Sequence, residues 1–273
     1  MTQHAASLAR ASAAPRPAIR RIVTEDVVAA LREGYRDFLA MPSHLVFVGL
    51  FYPLFGLVLG LAVFSDLGFA LVFPLVSGFA LVGPAAAAPL YEASRRREAG
   101  LEPSWPAALG ALTRAGLSLG IVALLLLAIF AAWMLSARAI YGAFYGAQAP
   151  AGLLPFLGDV LTTARGWGLI VVGHAVGFVF AALAFTLGVV SLPLLVDRDV
   201  GAGVALRTSI EAVRRNPRAM ALWGAIVAAI LVVASAPLLV GLTVAMPILG
   251  HATWHLYRRL VDRGSVEATP RRL

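Results

Sequence analysis

Charge-free apolar runs alternate with arginine-bearing stretches along the chain, and the alternation predicts helices that cross a bilayer. A hydrocarbon core about 30 Å thick needs roughly 20 apolar residues in a helix. "LVFVGLFYPLFGLVLGLAVF" (45–64) meets that need, as do "LGFALVFPLVSGFALVGPAAAAPL" (67–90) and "GLSLGIVALLLLAIFAAWMLS" (116–136). A fourth run extends from Trp167 to Val196. The last apolar region, 219–255, holds 37 residues, about 55 Å of helix at 1.5 Å per residue and too long for one span. Ser235-Ala236-Pro237 offers a turn that divides it into 219–235 and 238–256. The expected fold is all-α: a polytopic membrane helix bundle of six transmembrane helices with amphipathic interfacial helices. It occupies residues 24–260, between a disordered basic tail (1–23) and a C-terminal tail (261–273).

Three segments that lead into spans one, three and five have an amphipathic period. In "TEDVVAALREGYRDFLA" (24–40) Thr24 is the expected N-cap, and Glu25 and Asp26 suit the helix start. Val27, Leu31, Tyr35 and Phe38 share one face of that helix. "SWPAALGALTRAG" repeats the design with Trp105, Leu109 and Leu112, and "VALRTSIEAVRRNPRAM" with Leu206, Ile210 and Val213. Each is expected to lay its apolar face among acyl chains and its arginines at anionic headgroups. The sizeable loop between spans three and four carries "LPFLGDVLTTARGWG", which is expected to lie along the opposite interface.

Composition sharpens this picture. Of 273 residues, 60% are hydrophobic and only 13% charged, against roughly 25% charged in a soluble domain. Cysteine is absent, which excludes disulfides, thiolate metal sites and a cysteine nucleophile. All 22 basic residues are arginine, and with alternating crossings 20 of them fall on one side, leaving Arg138 and Arg165 on the other. The positive-inside rule then places both ends in the cytoplasm, in a bacterial inner membrane. The net charge of +8 is read as attraction to anionic headgroups, not to nucleic acid. The first apolar run begins too late for a cleavable signal.

The candidate chemistry is sparse. Gly56/Gly60, Gly116/Gly120 and Gly173/Gly177 have the small-xxx-small spacing that lets membrane helices approach closely. His174 lies between two of those glycines as an intramembrane polar group. The late stretch "GHATWHLYRRLVDRG" places His251 and His255 four residues apart on one helix face, a spacing that suits a shared metal ion, with His44 and Glu92 as further ligand candidates. The same stretch reads as a membrane anchor, with Trp254 and Tyr257 in the aromatic belt and Arg258 and Arg259 at headgroups. The anchor reading accounts for every residue there and the metal reading for two, so no cofactor is expected. No catalytic constellation points to an enzyme.

"RTSIEAVRRNPRAMALWGAIVAAILVV" followed by "MPILGHATWHLYRRLV" resembles the C-terminal signature of an uncharacterised bacterial family of predicted integral membrane proteins, a domain of unknown function. Some members carry the label cytochrome c oxidase subunit I. An oxidase core of that kind is similar to a twelve-helix bundle with six histidine ligands, and five histidines in six spans do not build it. The expected role is a non-enzymatic scaffold or accessory factor for a membrane complex, with a membrane-protein partner or a second copy of the chain. The alternatives are a channel or facilitator for a small uncharged solute, and a haem- or metal-binding protein related to respiratory oxidase function.

Overall fold

In lipid the backbone amides of an uncharged run have no partners but one another, so such runs become helices. The computed structural model describes residues 17–41, 68–102, 104–114, 116–146, 150, 152–198, 200–236, 239–262 and 264. The expected first span, with His44, Gly56 and Gly60, lies outside them. In chain order the elements are β1 (Ala18–Ile19), α1 (Thr24–Ala40), a 3₁₀ turn (Gly68–Leu71), α2 (Val72–Ala86), α3 (Ala88–Glu98) and α4 (Trp105–Arg114). There follow α5 (Gly116–Tyr145), α6 (Leu153–Thr162), α7 (Ala164–Gly188), α8 (Ser191–Asp197), α9 (Ala202–Arg215), α10 (Pro217–Ser235), α11 (Leu242–Leu260) and β2 (Val261–Asp262). The fold is an all-α membrane bundle.

Four helices among the described residues are long and apolar enough to cross a membrane: Val72–Glu98, Gly116–Tyr145, Ala164–Asp197 and Pro217–Ser235. They fall on four of the six expected spans, with shifted ends. The first of them runs on to Glu98 and the second to Tyr145, past the expected ends at 90 and 136. Two are interrupted, and each break has its backbone groups met. At the α2–α3 joint, Pro84 and Pro89 supply no N–H, and the Tyr91 hydroxyl donates to the Pro84 carbonyl at 3.0 Å. Between α7 and α8, Ser209 of α9 donates to the Thr186 carbonyl at 2.7 Å and accepts from the Val190 N–H at 3.2 Å.

Within the spans, Trp133 of α5 is the central wedge. It is buried, its indole N–H donates to the Pro74 carbonyl at 2.8 Å, and its ring lies against Gly78 of α2 and Gly177 of α7. A Cβ at Gly78 would stand 2.6 Å from that ring and one at Gly177 3.1 Å from it. Two glycines thus make room for one indole. Much of the remaining surface of α5, α7 and α10 is apolar and outward-facing, with Leu117, Leu124, Phe178 and Val232 exposed.

The densest burial lies elsewhere, where α3, α8 and the second half of α11 meet α1 and α9. Early residues of α1 meet late residues of α11, so the two run antiparallel: Asp26 and Glu33 pair with Arg259, and Asp37 with His255. The strands join there too, Ala18 opposite Asp262 and Ile19 opposite Val261. Asn216, just before α10, accepts from the Ile22 N–H at 2.9 Å and donates to the Arg20 carbonyl at 3.1 Å, while the Arg20 N–H donates to Leu260. The start of α10 and the end of α11 therefore sit together. Having 19 residues each, the two helices form an out-and-back pair. By sequence α11 is the expected sixth span, but its second half, with His251, His255, Arg258 and Arg259, keeps it out of the apolar class.

The arms differ from the expected lipid-facing helices. α1 buries Val27, Ala30, Gly34 and Asp37 and exposes Tyr35, and a Cβ at Gly34 would run into the backbone of Ala252. α9 buries Ala205, Thr208, Ser209 and Ala212, leaving Leu206, Ile210 and Val213 half-buried. The small residues face protein, since close helix approach gains more contacts there than bulky side chains allow. The helix of the first arm starts at Thr24 with Val23 at the cap, and the Asp26 carboxylate accepts from the Val23 N–H at 3.0 Å. The side chains of Trp105, Leu109 and Leu112 lie outside the described residues.

Candidate functional site

Three helices bring polar side chains to one point. α1 supplies Glu33 and Asp37, one turn apart, and α11 supplies His251 and His255 with the same spacing. α3 supplies Ser94, Arg97 and Glu98 from its last turns. Asp37 is the hub. Its Oδ2 accepts from Ser94 Oγ at 2.5 Å and stands 2.8 Å from His255 Nε2, while Oδ1 pairs with Arg97. Ser94 Oγ is also 2.8 Å from His251 Nδ1. Asp37, Ser94 and His251 are all buried. A carboxylate only accepts, so the serine proton goes to Asp37 and the His251 Nδ1–H must donate to the serine oxygen.

Around this hub the charges are matched. Arg259 forks onto both oxygens of Glu33 at 2.8 and 2.9 Å, Arg258 reaches Glu98, and His255 Nδ1 lies 3.2 Å from Glu33. Burial alone would raise the Asp37 carboxyl, but hydrogen bonds from His255 and Ser94 outweigh it and hold the group below the usual carboxylate range. Glu33 is held down chiefly by the Arg259 fork. A cavity of about 330 Å³ opens at the cluster, lined by Glu33, Arg36, Asp37, Ser94, Arg97, Glu98 and His255.

The cluster has the residues of a catalytic triad but not its wiring. In a triad the histidine takes the serine proton and the acid orients the histidine; here the serine stands between acid and histidine and gives its proton to the acid. Ser94 is also 1% exposed, in the wall of the cavity. The one stretch that spells a nucleophile elbow, Gly116-Leu117-Ser118-Leu119-Gly120, opens α5 and joins helix to helix rather than strand to helix.

The histidine pair from the late stretch is thus found at the cluster, with its ring nitrogens turned to Ser94, Asp37 and Glu33. Among the described residues no three His, Asp or Glu side chains are grouped to hold a metal ion. Glu92 is engaged by Arg95 through two hydrogen bonds of 2.7 and 2.9 Å. The expected anchors are placed inside protein. Trp254 and Tyr257 are buried, donating to Glu98 at 3.1 Å and to Asp197 at 2.7 Å. Arg258 and Arg259 meet carboxylates of α3 and α1 in place of headgroups. His174 is exposed on α7, its Nδ1 2.7 Å from the Ile170 carbonyl of its own helix and its ring against Phe73. Of the described glycines predicted to pack, Gly177 touches Trp133, while Gly116, Gly120 and Gly173 face open space.

Apolar crossings, helix breaks patched by neighbouring hydroxyls, and ionic groups drawn to one end define a polytopic all-α integral membrane protein. Over residues 72–197 the chain matches the family described as predicted integral membrane protein, DUF2189. The resemblance to an uncharacterised family of membrane proteins is borne out over that segment, which lies upstream of the motif that first carried it. No curated protein and no solved structure matches the chain.

Proposed function

We propose that this protein is a non-enzymatic scaffold or accessory factor within a membrane complex, crossing the bacterial inner membrane six times with both ends in the cytoplasm. The carrying observation is the division of its surface. The ionic side chains of the cluster pair among themselves, while two of the spans, Gly116–Tyr145 and Pro217–Ser235, have only 28% and 22% of their apolar windows buried within the chain. Such faces suit lipid and the helices of a partner, which is a membrane protein or a second copy of this chain. The arginine bias supports the orientation, and the β1–β2 pairing supports an even number of crossings between the paired strands.

A photo-cross-linking side chain at Leu124 or Val232, both strongly exposed, tests the scaffold reading in native membranes. Adducts of discrete protein mass are expected, from an identifiable partner or from a dimer. Adducts to lipid alone at both positions overturn it.

A further inference from the structure

The cavity at the polar end has its acceptors satisfied and its donors left over. Each carboxylate in its wall is engaged. Arg259 forks onto both oxygens of Glu33, Arg258 and Trp254 hold Glu98, and Asp37 is shared by Ser94, His255 and Arg97. The two guanidinium groups of the wall are engaged far less. Arg97 gives Nη1 to Asp37 and is 40% exposed, while a guanidinium carries five N–H donors in a planar fork. Arg36 lines the same cavity and makes no hydrogen bond or ion pair with any described residue. The unused hydrogen-bonding capacity of the cavity is therefore that of cationic donors.

The charge balance points the same way. The two arginines of the wall, with Arg258 and Arg259 clamped behind it, outnumber its three carboxylates. An oxyanion entering beside Arg36 and Arg97 meets N–H groups from two helices, α1 and α3. A tetrahedral phosphate has oxygens for both forks, whereas a planar carboxylate has two and is satisfied by one fork. At about 330 Å³ the cavity is in the size range of small-molecule sites, with room for a phosphate and part of the group it esterifies. We propose that Arg36 and Arg97 form a binding site for a phosphate ester in this cavity. Two sources present that chemistry, a soluble phosphate ester and the headgroup of an anionic lipid. Tyr35 and Leu39, exposed close to Arg36 on α1, give the rim an apolar side suited to a ligand with acyl chains. The site stands independently of the scaffold role.

Binding to the full chain in dodecyl maltoside, a phosphate-free detergent, tests the site with two probes. Radiolabelled glycerol 3-phosphate is followed by equilibrium dialysis, and phosphatidylglycerol in mixed micelles by native mass spectrometry. Saturable binding of one molecule per chain is expected for at least one of them. Binding of glycerol 3-phosphate identifies a soluble ester as a ligand, and binding of phosphatidylglycerol alone identifies a headgroup. Arg36→Gln is expected to weaken binding roughly tenfold, the effect of losing about one charge-assisted hydrogen bond. Because Arg36 has no partner within the described fold, this variant is expected to assemble normally. Arg97→Lys, which keeps a charge for Asp37 but removes the fork, is expected to weaken binding as well. Arg32→Gln, one turn away on α1 and outside the cavity wall, is expected to bind like the wild type. The site is overturned if neither probe binds at one per chain, or if Arg36→Gln or Arg97→Lys keeps wild-type affinity. It is equally overturned if Arg32→Gln weakens binding as much as Arg36→Gln, since the attraction is then a diffuse one.

Discussion

A single carboxylate carries the polar cluster. Asp37 accepts from Ser94, His255 and Arg97, and removing it takes an acceptor from the buried Ser94, the mostly enclosed His255 and the partly exposed Arg97. Asp37→Ala is therefore expected to destabilise the protein by about 3 kcal/mol or more, read as a lowered midpoint in detergent-solubilised thermal unfolding. The sign of the acid response follows from the same contacts. Because the folded protein holds Asp37 below its ordinary range, its contribution is present above the unfolded value and lost as pH falls through the folded one. Wild-type stability is expected to drop below about pH 4, and the alanine variant is expected to lose this part of the slope. The histidine pair at residues 251 and 255 is legible in the sequence because i,i+4 spacing marks a shared face. Asp37 and Glu33 are not, because an amphipathic pattern reads a polar side as solvent-facing. It does not distinguish water from a complementary polar helix. The available signal is the small-residue stripe Ala30/Gly34 beside them, which marks a face made for close contact with protein.

The crossing elements are the most legible part of the fold, since apolar length and the absence of charge dictate them directly. Their breaks are less so. The interruption at Val189–Val190 depends on a hydroxyl from α9, a partner that no local pattern announces. Ser209→Ala withdraws it, leaving the Val190 N–H and the Thr186 carbonyl without that partner. A cost of about 1–3 kcal/mol is expected, seen as faster hydrogen exchange confined to the α7–α8 joint. Gly78 gives the converse case. Gly78→Val drives a branched side chain into the Trp133 ring, and a loss of about 1–3 kcal/mol is expected from overpacking, measured as a lowered unfolding midpoint. α6, in the piece expected to lie along the opposite interface, exposes Leu153, Leu154, Leu157 and Leu161. Its Asp159 is held by Tyr145 and Arg165. If that leucine face rests on lipid, a nitroxide on Leu157→Cys will be more accessible to oxygen than to a polar nickel complex. The opposite ranking would mean that the helix stands in water. The chain's lack of cysteine makes such single-site labelling straightforward.

At the scale of the molecule, two regions with different solvents are joined along the same helices. In the apolar part, packing rests on wedges such as Trp133 between glycines; at the other end it rests on matched charge. In the proposed orientation that charged end faces the cytoplasm, and a protease added to sealed, inside-out vesicles is then expected to cut near residue 264 while leaving right-side-out vesicles intact. Cutting in the opposite preparation would reverse the orientation. The pairing of β1 with β2 bears on how the protein is made. A ribosome delivers α1 early and its partner α11 much later, after every intervening crossing has entered the bilayer. Until then Asp37 can meet only Ser94 and Arg97 of α3, and Glu33 lacks Arg259 and His255. The closing of the polar end is thus a final act of biogenesis. A chain stopped short of α11 would insert its earlier spans and yet present a loose, protease-sensitive arm to the insertion machinery's quality control.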